Sequence, residues 1–234
     1  MTTVLALETA TGAAGAAVAT EEGVVAELTV RTARRHVEAL HPAIEQVMAA
    51  SGLLFGDLDA VAADVGPGLF TGIRVGVSTA KGLALSLGIP AVAVTSLDAI
   101  RAACEDAGAS GGVVAVVDIR RGDVAWSYGA GISTGSPAEL AAELAEAGAG
   151  ELVLAGDGAL RYSEVFVSAA HPGWRVAGQS VAFPPVASVA VLACAAAASG
   201  RTLDAAHLAP CYLREADARI NWTTRHDAPA LGGS

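Results

Sequence analysis

TVLALETATGAAGAAVATEEGVVAELTV, residues 3–30, holds three β-type segments with almost no chain between them. Thr3–Thr9 alternates loosely, Gly12 punctuates, Gly15–Thr20 resumes, and Glu22-Gly23 turns into Val24–Val30. Strands this close must pair as antiparallel hairpins, because a parallel return needs a crossover of about a dozen residues or more. The period then changes. Val37, Leu40, Ile44, Val47 and Met48 recur at helical spacing, Pro42 predicts a kink or a late start, and Gly52 ends the pattern. Ala60–Val65 reads as a short buried strand, Phe70–Leu87 as a helix stopped by Gly88, Ala91–Val94 as a strand and Ser96–Cys104 as a helix.

A Gly/Ala/Ser-rich stretch, Glu105–Gly112, marks a boundary, and beyond it the pattern restarts. Val113–Asp118 and Asp123–Gly129 form a hairpin across Arg120-Arg121-Gly122. Ser136-Pro137-Ala138-Glu139 opens a helix as a capping box with proline at its first position. Glu151–Ala155 is a strand, Gly156-Asp157-Gly158 a turn, and Pro185–Ser199 an alanine-rich helix. Each half thus begins with hairpin strands and continues with helices alternating with single strands. The fold class that follows is α/β, with mixed sheets flanked by helices. The expected organisation is a first lobe at 1–106, a second, smaller lobe at 107–222 and a disordered tail at 223–234, which ends APALGGS.

Composition bounds the function. Of 234 residues 53% are hydrophobic and 16% charged, against about 25% charged in an ordinary globular domain, which excludes disorder for the bulk of the chain. The net charge of −10, with 13 arginines and the single lysine Lys81, repels phosphate backbones. An autonomous nucleic-acid binder is therefore not expected. Val186–Ser199, the longest weakly polar run, falls short of the roughly 20 residues that span a bilayer. Cys104, Cys194 and Cys211 are odd in number and far apart, giving neither a disulfide framework nor a zinc ribbon. The expected setting is a reduced cytoplasm, with no membrane contact.

Two catalytic patterns fail on spacing. HVEALH, His36 to His41, places its histidines at i and i+5, roughly 140° apart on a helix, so they cannot share one zinc ion as an i, i+4 pair would. GISTG, Gly131 to Gly135, matches a nucleophile elbow, but the helix start at Ser136 leaves Ser133 in a loop. GPGLFTGIRVG, Gly66 to Gly76, says more. Gly66 and Gly68 around Pro67 make a tight strand-to-helix turn whose free N–H groups point outward, a place for an anion. Gly72, Gly76 and Ala80 then line one helix face almost without side chains. Since each helical glycine costs about 1 kcal/mol, another backbone must come close there. Either the helix's own sheet or a second helix would account for the stripe.

GPGLFTGIRVG, LALETAT (Leu5–Thr11), RRHVEALHPAI (Arg34–Ile44), DIRRGDVAW (Asp118–Trp126), AGDGA and PCYLR (Pro210–Arg214) together resemble the TsaB family, formerly YeaZ. That family serves the synthesis of threonylcarbamoyladenosine in bacterial tRNA, and the resemblance runs from about Val4 to Arg214. It implies two ribonuclease-H-like lobes of the actin/Hsp70 class. It also implies kinship with TsaD, the transferase subunit, in which an H-x-x-x-H pair binds the catalytic metal. Ser96 and Ile100 occupy those two positions here, which implies a degenerate paralogue with no catalytic residues and no metal of its own.

The role implied is a noncatalytic scaffold that binds and activates a TsaD-like transferase, with a TsaE-like ATPase as third component. A homodimer is implied in isolation, and tRNA is reached only through the complex. The resemblance places the interface on two helices, Arg35–Ala49 and Phe70–Leu87, at Arg35, His36, Leu40, Ile44, Phe70, Gly72, Val75 and Gly76. Leu69 stands where serine is common in the family, and His41 where an apolar residue is usual. A nucleotide or anion loop is implied at Thr9, Thr11, Gly66, Gly68, Gly156 and Gly158. No cofactor is expected on the chain itself, ATP or ADP entering only in the complex. Three other readings stand beside this one. An actin-like ATP-hydrolysing enzyme would use LALETAT and AGDGA as its nucleotide loops, but the chain offers no clear acid pair to hold magnesium: Glu8, Asp64 and Asp118 are the candidates, and Glu8 and Asp118 read as strand-end residues. A glycoprotease would need the missing metal site. An independent homodimeric module predicts that Gly72→Leu breaks association without unfolding.

Overall fold

In the computed structural model the opening hairpins form as the alternation predicts, β1 (Thr3–Glu8), β2 (Ala13–Thr20) and β3 (Gly23–Arg31) making an antiparallel meander. The structure describes residues 1–32, 35–128, 131–168 and 171–213. The tail at 223–234, and Arg34 and Arg214 of the quoted motifs, lie outside them. After helix α1 (His36–Ser51) the chain adds β4 (Ala60–Asp64) parallel to β1, and after α2 (Phe70–Leu87) it adds β5 (Ala91–Val94) parallel to β4. The sheet order is β3-β2-β1-β4-β5.

Helix α3 (Ser96–Asp106) leads to the second sheet, where the same scheme repeats. β6 (Gly112–Asp118), β7 (Val124–Ser127) and β8 (Ser133–Gly135) form an antiparallel meander. Then α4 (Pro137–Glu146), β9 (Leu152–Ala155), the short helices α5 (Asp157–Arg161) and α6 (Ser163–Ser168), β10 (Trp174–Val176) and α7 (Val186–Ala198) follow. β9 runs parallel to β6 and β10 parallel to β9, so the order β8-β7-β6-β9-β10 copies the first sheet strand for strand. Both lobes thus have the ribonuclease-H-like strand order expected of this α/β fold.

Helix ends follow local chemistry. Gly52 and Gly88 adopt left-handed φ of 71° and 68°, closing α1 and α2 as only glycine does without strain. Ser136 and Glu139 form the predicted capping box on α4, stabilising it by about 1 kcal/mol. Three expectations are corrected. Pro42 does not bring a late start to α1, which begins at His36 and carries the proline on its exposed side. Ser133 lies in the edge strand β8 rather than a loop, and Asp157-Gly158 begin α5 rather than merely turning.

The central strands are covered on both faces, which explains the low charge and high alanine content. Odd-numbered Leu5, Leu7, Val61 and Ala63 pack under α1 and α2 against Leu40, Ile44, Ile73 and Val77. Even-numbered Val4, Ala6, Ala60 and Ala62 meet Val189, Ala190 and Ala193 of α7. In the second lobe Val114, Val116 and Leu154 pack against Leu140, Leu144 and Phe166. Leu97, Ile100 and Cys104 of α3 face Ala115, Val117 and Ala155. Each large side chain buried in this way contributes about 1.5–3 kcal/mol. The division at 106/107 therefore separates the sheets but not the helices: α3, before it, packs on β6, and α7, after it, covers the first sheet.

Candidate functional site

The chemistry expected of GPGLFTGIRVG depends on what its backbone faces, and it faces the turn between β1 and β2. The Leu69 N–H donates to the Ala10 carbonyl at 2.6 Å, and a methyl on Gly68 would collide with that same oxygen. The Gly66 N–H donates to Asp64 Oδ1 at 2.8 Å. These two N–H groups do not point outward but are taken up within the chain.

The glycine stripe has the same explanation. The Thr9 hydroxyl donates to the Gly72 carbonyl at 2.7 Å and accepts from the Gly76 N–H at 2.9 Å. Gly72 and Gly76 are i and i+4, the two ends of one ordinary helical hydrogen bond. Thr9 Oγ1 thus bonds to both groups at the ends of that bond, against the side of α2. Side chains at Gly72 or Gly76 would strike the Thr9 carbonyl or hydroxyl. The close approach read from the sequence is real, but the approaching group is Thr9 of the same chain, so these glycines are not partner contacts.

The turn is fastened at two further points. Glu8 Oε1 accepts from the N–H of Ala10 at 2.8 Å and from the N–H and hydroxyl of Thr11 at 3.3 Å. His36 Nε2 donates to the Thr11 carbonyl at 2.8 Å, at the first turn of α1. Thr9 and Thr11 are buried, their hydroxyls committed to these bonds, and so is His36. Leu40 and Ile44 lie in the core beneath α1, since the spacing that made them conspicuous is the spacing of the inward face. His36, Leu40, Ile44, Gly72 and Gly76 are thereby removed from the expected interface. Gly156 and Gly158 lie on the second sheet, pressed against the backbone of Val116 and Asp118 rather than beside Thr9.

What α1 and α2 do offer to solvent is Arg35, Phe70 and the half-buried Val75, together with residues the sequence reading passed over. Val37 is exposed, and Arg74 lies 3.8 Å from the centre of the exposed Phe70 ring. Arg74 Nε donates to the Tyr212 hydroxyl at 2.8 Å, and the Tyr212 and Phe70 rings are 5.3 Å apart. A guanidinium stacked on one aromatic ring and hydrogen-bonded to the hydroxyl of a second is ordered at little further entropic cost, the character of a binding anchor. The signal was present as an aromatic and an arginine at i, i+4 on the outward side of α2. Tyr212 joins them across a gap of 138 residues that no local pattern spans. Lys81 Nζ ties α2 to the Ala206 carbonyl at 2.5 Å.

Two carboxyl pairs sit at the strand ends. Glu8 and Asp64 are sealed from solvent, and burial pushes both upward, Asp64 to about 7 and Glu8 well above the usual range with the Asp64 charge adding to it. In the second lobe Asp118 Oδ2 accepts from Arg120 at 3.2 Å and Arg161 at 3.0 Å, and burial raises Asp157 to about 6. Ser96 donates to Asp64 at 2.7 Å, and Ile100 is enclosed in the apolar seam under the second sheet. Among the described residues no three His, Cys, Asp or Glu side chains converge as a metal site.

Comparison with known proteins adds the following. The family model described as TsaD, tRNA N6-adenosine threonylcarbamoyltransferase, matches residues 15–147. A Mycobacterium tuberculosis protein is 40% identical over 145 residues, 61% of this chain and 66% of that one, so the match spans just under two thirds of that relative. The tRNA threonylcarbamoyladenosine biosynthesis protein TsaB of Escherichia coli is 28% identical over 221 residues, 90% of this chain and 94% of its own. The structure of YeaZ from Pseudomonas aeruginosa superposes with a TM-score of 0.75 at 26% identity, over 91% of this chain and 100% of that one.

Proposed function

We propose, on the premise that this chain belongs to the tRNA N6-adenosine threonylcarbamoyltransferase (TsaD) family and to its TsaB, or YeaZ, branch, that it is a noncatalytic subunit which docks on and activates a TsaD-type transferase. The reaction served is the threonylcarbamoylation of adenosine in tRNA. The observation that carries this reading is the extent of likeness to Escherichia coli TsaB, which leaves little of either protein unmatched. Ile100 supports it: an enclosed aliphatic side chain offers a metal no lone pair at the place matched to a ligand histidine.

The docking face is the outer side of α1 and α2, anchored by Phe70, Arg74 and Tyr212 and bordered by Arg35, Val37 and Val75. The inner side of the same helices is fixed by Thr9 and His36, so the face is presented on a rigid support. In the absence of the transferase the same face pairs two copies of this chain. A TsaE-like ATPase is the third component, ATP or ADP belongs to the assembly, and tRNA is met through the transferase. This division suits a chain of net charge −10.

Reconstitution tests the reading. Transferase, ATPase and tRNA are incubated with the threonylcarbamoyl donor, with and without this chain, and modified adenosine is measured. The expected result is product that depends on this chain and is lost when Phe70 and Arg74 are both replaced by alanine. Equal product with and without it overturns the activating role.

A further inference from the structure

Glu8 and Asp64 end adjacent parallel strands, one step beyond the Leu7–Ala63 pair, and leave the sheet on the face that α7 and α3 cover. Their exposures are 1% and 0%. Three of their four oxygens are accounted for. Glu8 Oε1 takes the donors of Ala10 and Thr11; Asp64 Oδ1 takes the Gly66 N–H and the Ser96 hydroxyl; and Asp64 Oδ2 lies 2.9 Å from that same hydroxyl. Among the described residues, Glu8 Oε2 is buried with no hydrogen-bond partner.

The surroundings bring no neutralising charge. Asp98 of α3 faces Asp64 as a further negative group and is itself paired with Arg101 at 2.6 Å. The Cys211 thiol, from the segment after α7, is raised by burial and by the Asp64 charge, and His36 lies beyond the Thr11 carbonyl. Among the described residues no lysine or arginine forms an ion pair with either carboxyl. Two adjacent carboxylates sealed from water without a cation do not both ionise, since desolvation and mutual repulsion each oppose the second charge.

We propose that Glu8 and Asp64 form a buried proton-binding site which holds one proton between them at neutral pH, and that loss of this proton loosens the β1–β2 turn from α1 and α2. The place for the proton is Glu8 Oε2, the one oxygen of the pair that no donor among the described residues reaches. The link to the helices is short. Glu8 Oε1 orders Ala10 and Thr11; beside them Thr9 bonds to Gly72 and Gly76 of α2, and the Thr11 carbonyl holds His36 of α1. A second charge at this point draws water or motion into the turn, and the clamp on both helices weakens. The effect on docking rests on the reading of α1 and α2 as the partner face; the proton site itself does not.

The test uses the full chain, carbon-13 labelled at its carboxyl groups, titrated by NMR with EDTA or with Mg²⁺, while hydrogen exchange reports on the Gly76 amide. The Asp64 signal is expected to titrate at about pH 7 and the Glu8 signal to move with it, as in a coupled pair. Protection of Gly76 is expected to fall about tenfold across the same titration, the sign of local opening, and to lose that dependence in Glu8→Gln. Titration of both carboxyls in the ordinary range, below about pH 5, overturns the proposal. So does a Mg²⁺-induced shift that vanishes in Glu8→Gln, because the site would then hold a metal cation. If Glu8→Gln does not fold, the titration of the unaltered chain and of Asp64→Asn decides. Failure of the docking reading would appear in the reconstitution and leave these signals unchanged.

Discussion

At the end of β1 the first sheet buries Glu8 beside Asp64 with no cation from the described residues paired to them, whereas at the end of β6 the second sheet buries Asp118 beside Asp157 and brings Arg120 and Arg161 to it. The strand order around the two places is the same. The difference lies in what closes each strand end. In the first lobe Thr9 bonds to α2, Leu69 caps Ala10 and Ser96 closes over Asp64, leaving no channel for a long cationic side chain. In the second lobe the hairpin Arg120-Arg121-Gly122 turns through left-handed backbone at all three residues and remains at the surface. Its Arg120 and the Arg161 of α5 reach in from solvent. One topology thus supports two electrostatic solutions: a retained proton where the end is sealed, and paired arginines where it is open.

The strongest way to break this contrast is to force the sealed end open. Gly72→Leu drives a side chain into the Thr9 carbonyl, and the backbone cannot yield without losing the Thr9 bonds to α2. A loss of about 4–5 kcal/mol, or failure to fold, is expected in urea denaturation, at the upper end for one substitution. A folded monomer of normal stability would restore the glycines to a partner interface.

Next in size is the pH response. Asp64 is raised in the folded chain to about 7, so the folded state binds more protons than the unfolded one, and stability falls as pH rises from about 4 to about 7. Asp64→Asn removes this contribution while keeping acceptors for Gly66 and Ser96. The stability difference between variant and parent is expected to grow across that interval to about 4 kcal/mol at most, at 1.36 kcal/mol per unit. Asp157→Asn, in the second lobe, should give the same sign over a narrower interval, ending near pH 6, because Asp157 is raised only to about 6. Identical profiles for the two variants would erase the distinction between the lobes.

The open end should be more forgiving. Arg161→Met leaves Asp118 with Arg120 alone, and both guanidinium side chains are more than half exposed, at 56% and 57%. Solvent screening reduces the expected loss to about 1 kcal/mol, diminishing further in high salt. Smallest of all for stability is Arg74→Ala. It should change unfolding by no more than about 0.5 kcal/mol and yet weaken transferase binding about tenfold, measured by calorimetry, if the aromatic–arginine cluster is an anchor.

Much of the architecture was legible in residues 3–30 and 113–129, because short segments without room for a crossover have only the antiparallel choice. The glycine stripe was legible as a demand for close approach. Its partner was not, since Thr9 lies 63 residues before Gly72 and nothing local joins them. Leu40 and Ile44 belong to the interface that the resemblance implies, yet they form the apolar stripe of α1, and such a stripe marks the side that faces the helix's own core. Glu8 and Asp64 stand out in the sequence as candidate acids, but their pairing does not, for the same reason as with Thr9. It depends on the parallel register of β1 and β4, and register across a long connection is set by packing rather than by any motif.

The exchange of helices between the lobes has a consequence for synthesis. The last strand of the first sheet ends at Val94, but α7, which covers that sheet's even-numbered face, begins only at Val186. At about 5–20 residues per second, a ribosome takes several seconds or more to supply the missing cover. During that time Val4, Ala6, Ala60 and Ala62 face whatever surrounds the nascent chain. The first lobe to be translated is thus the last to be closed, and a chain released early, with both central strands of its first sheet already made, is a substrate for chaperones rather than a small stable domain.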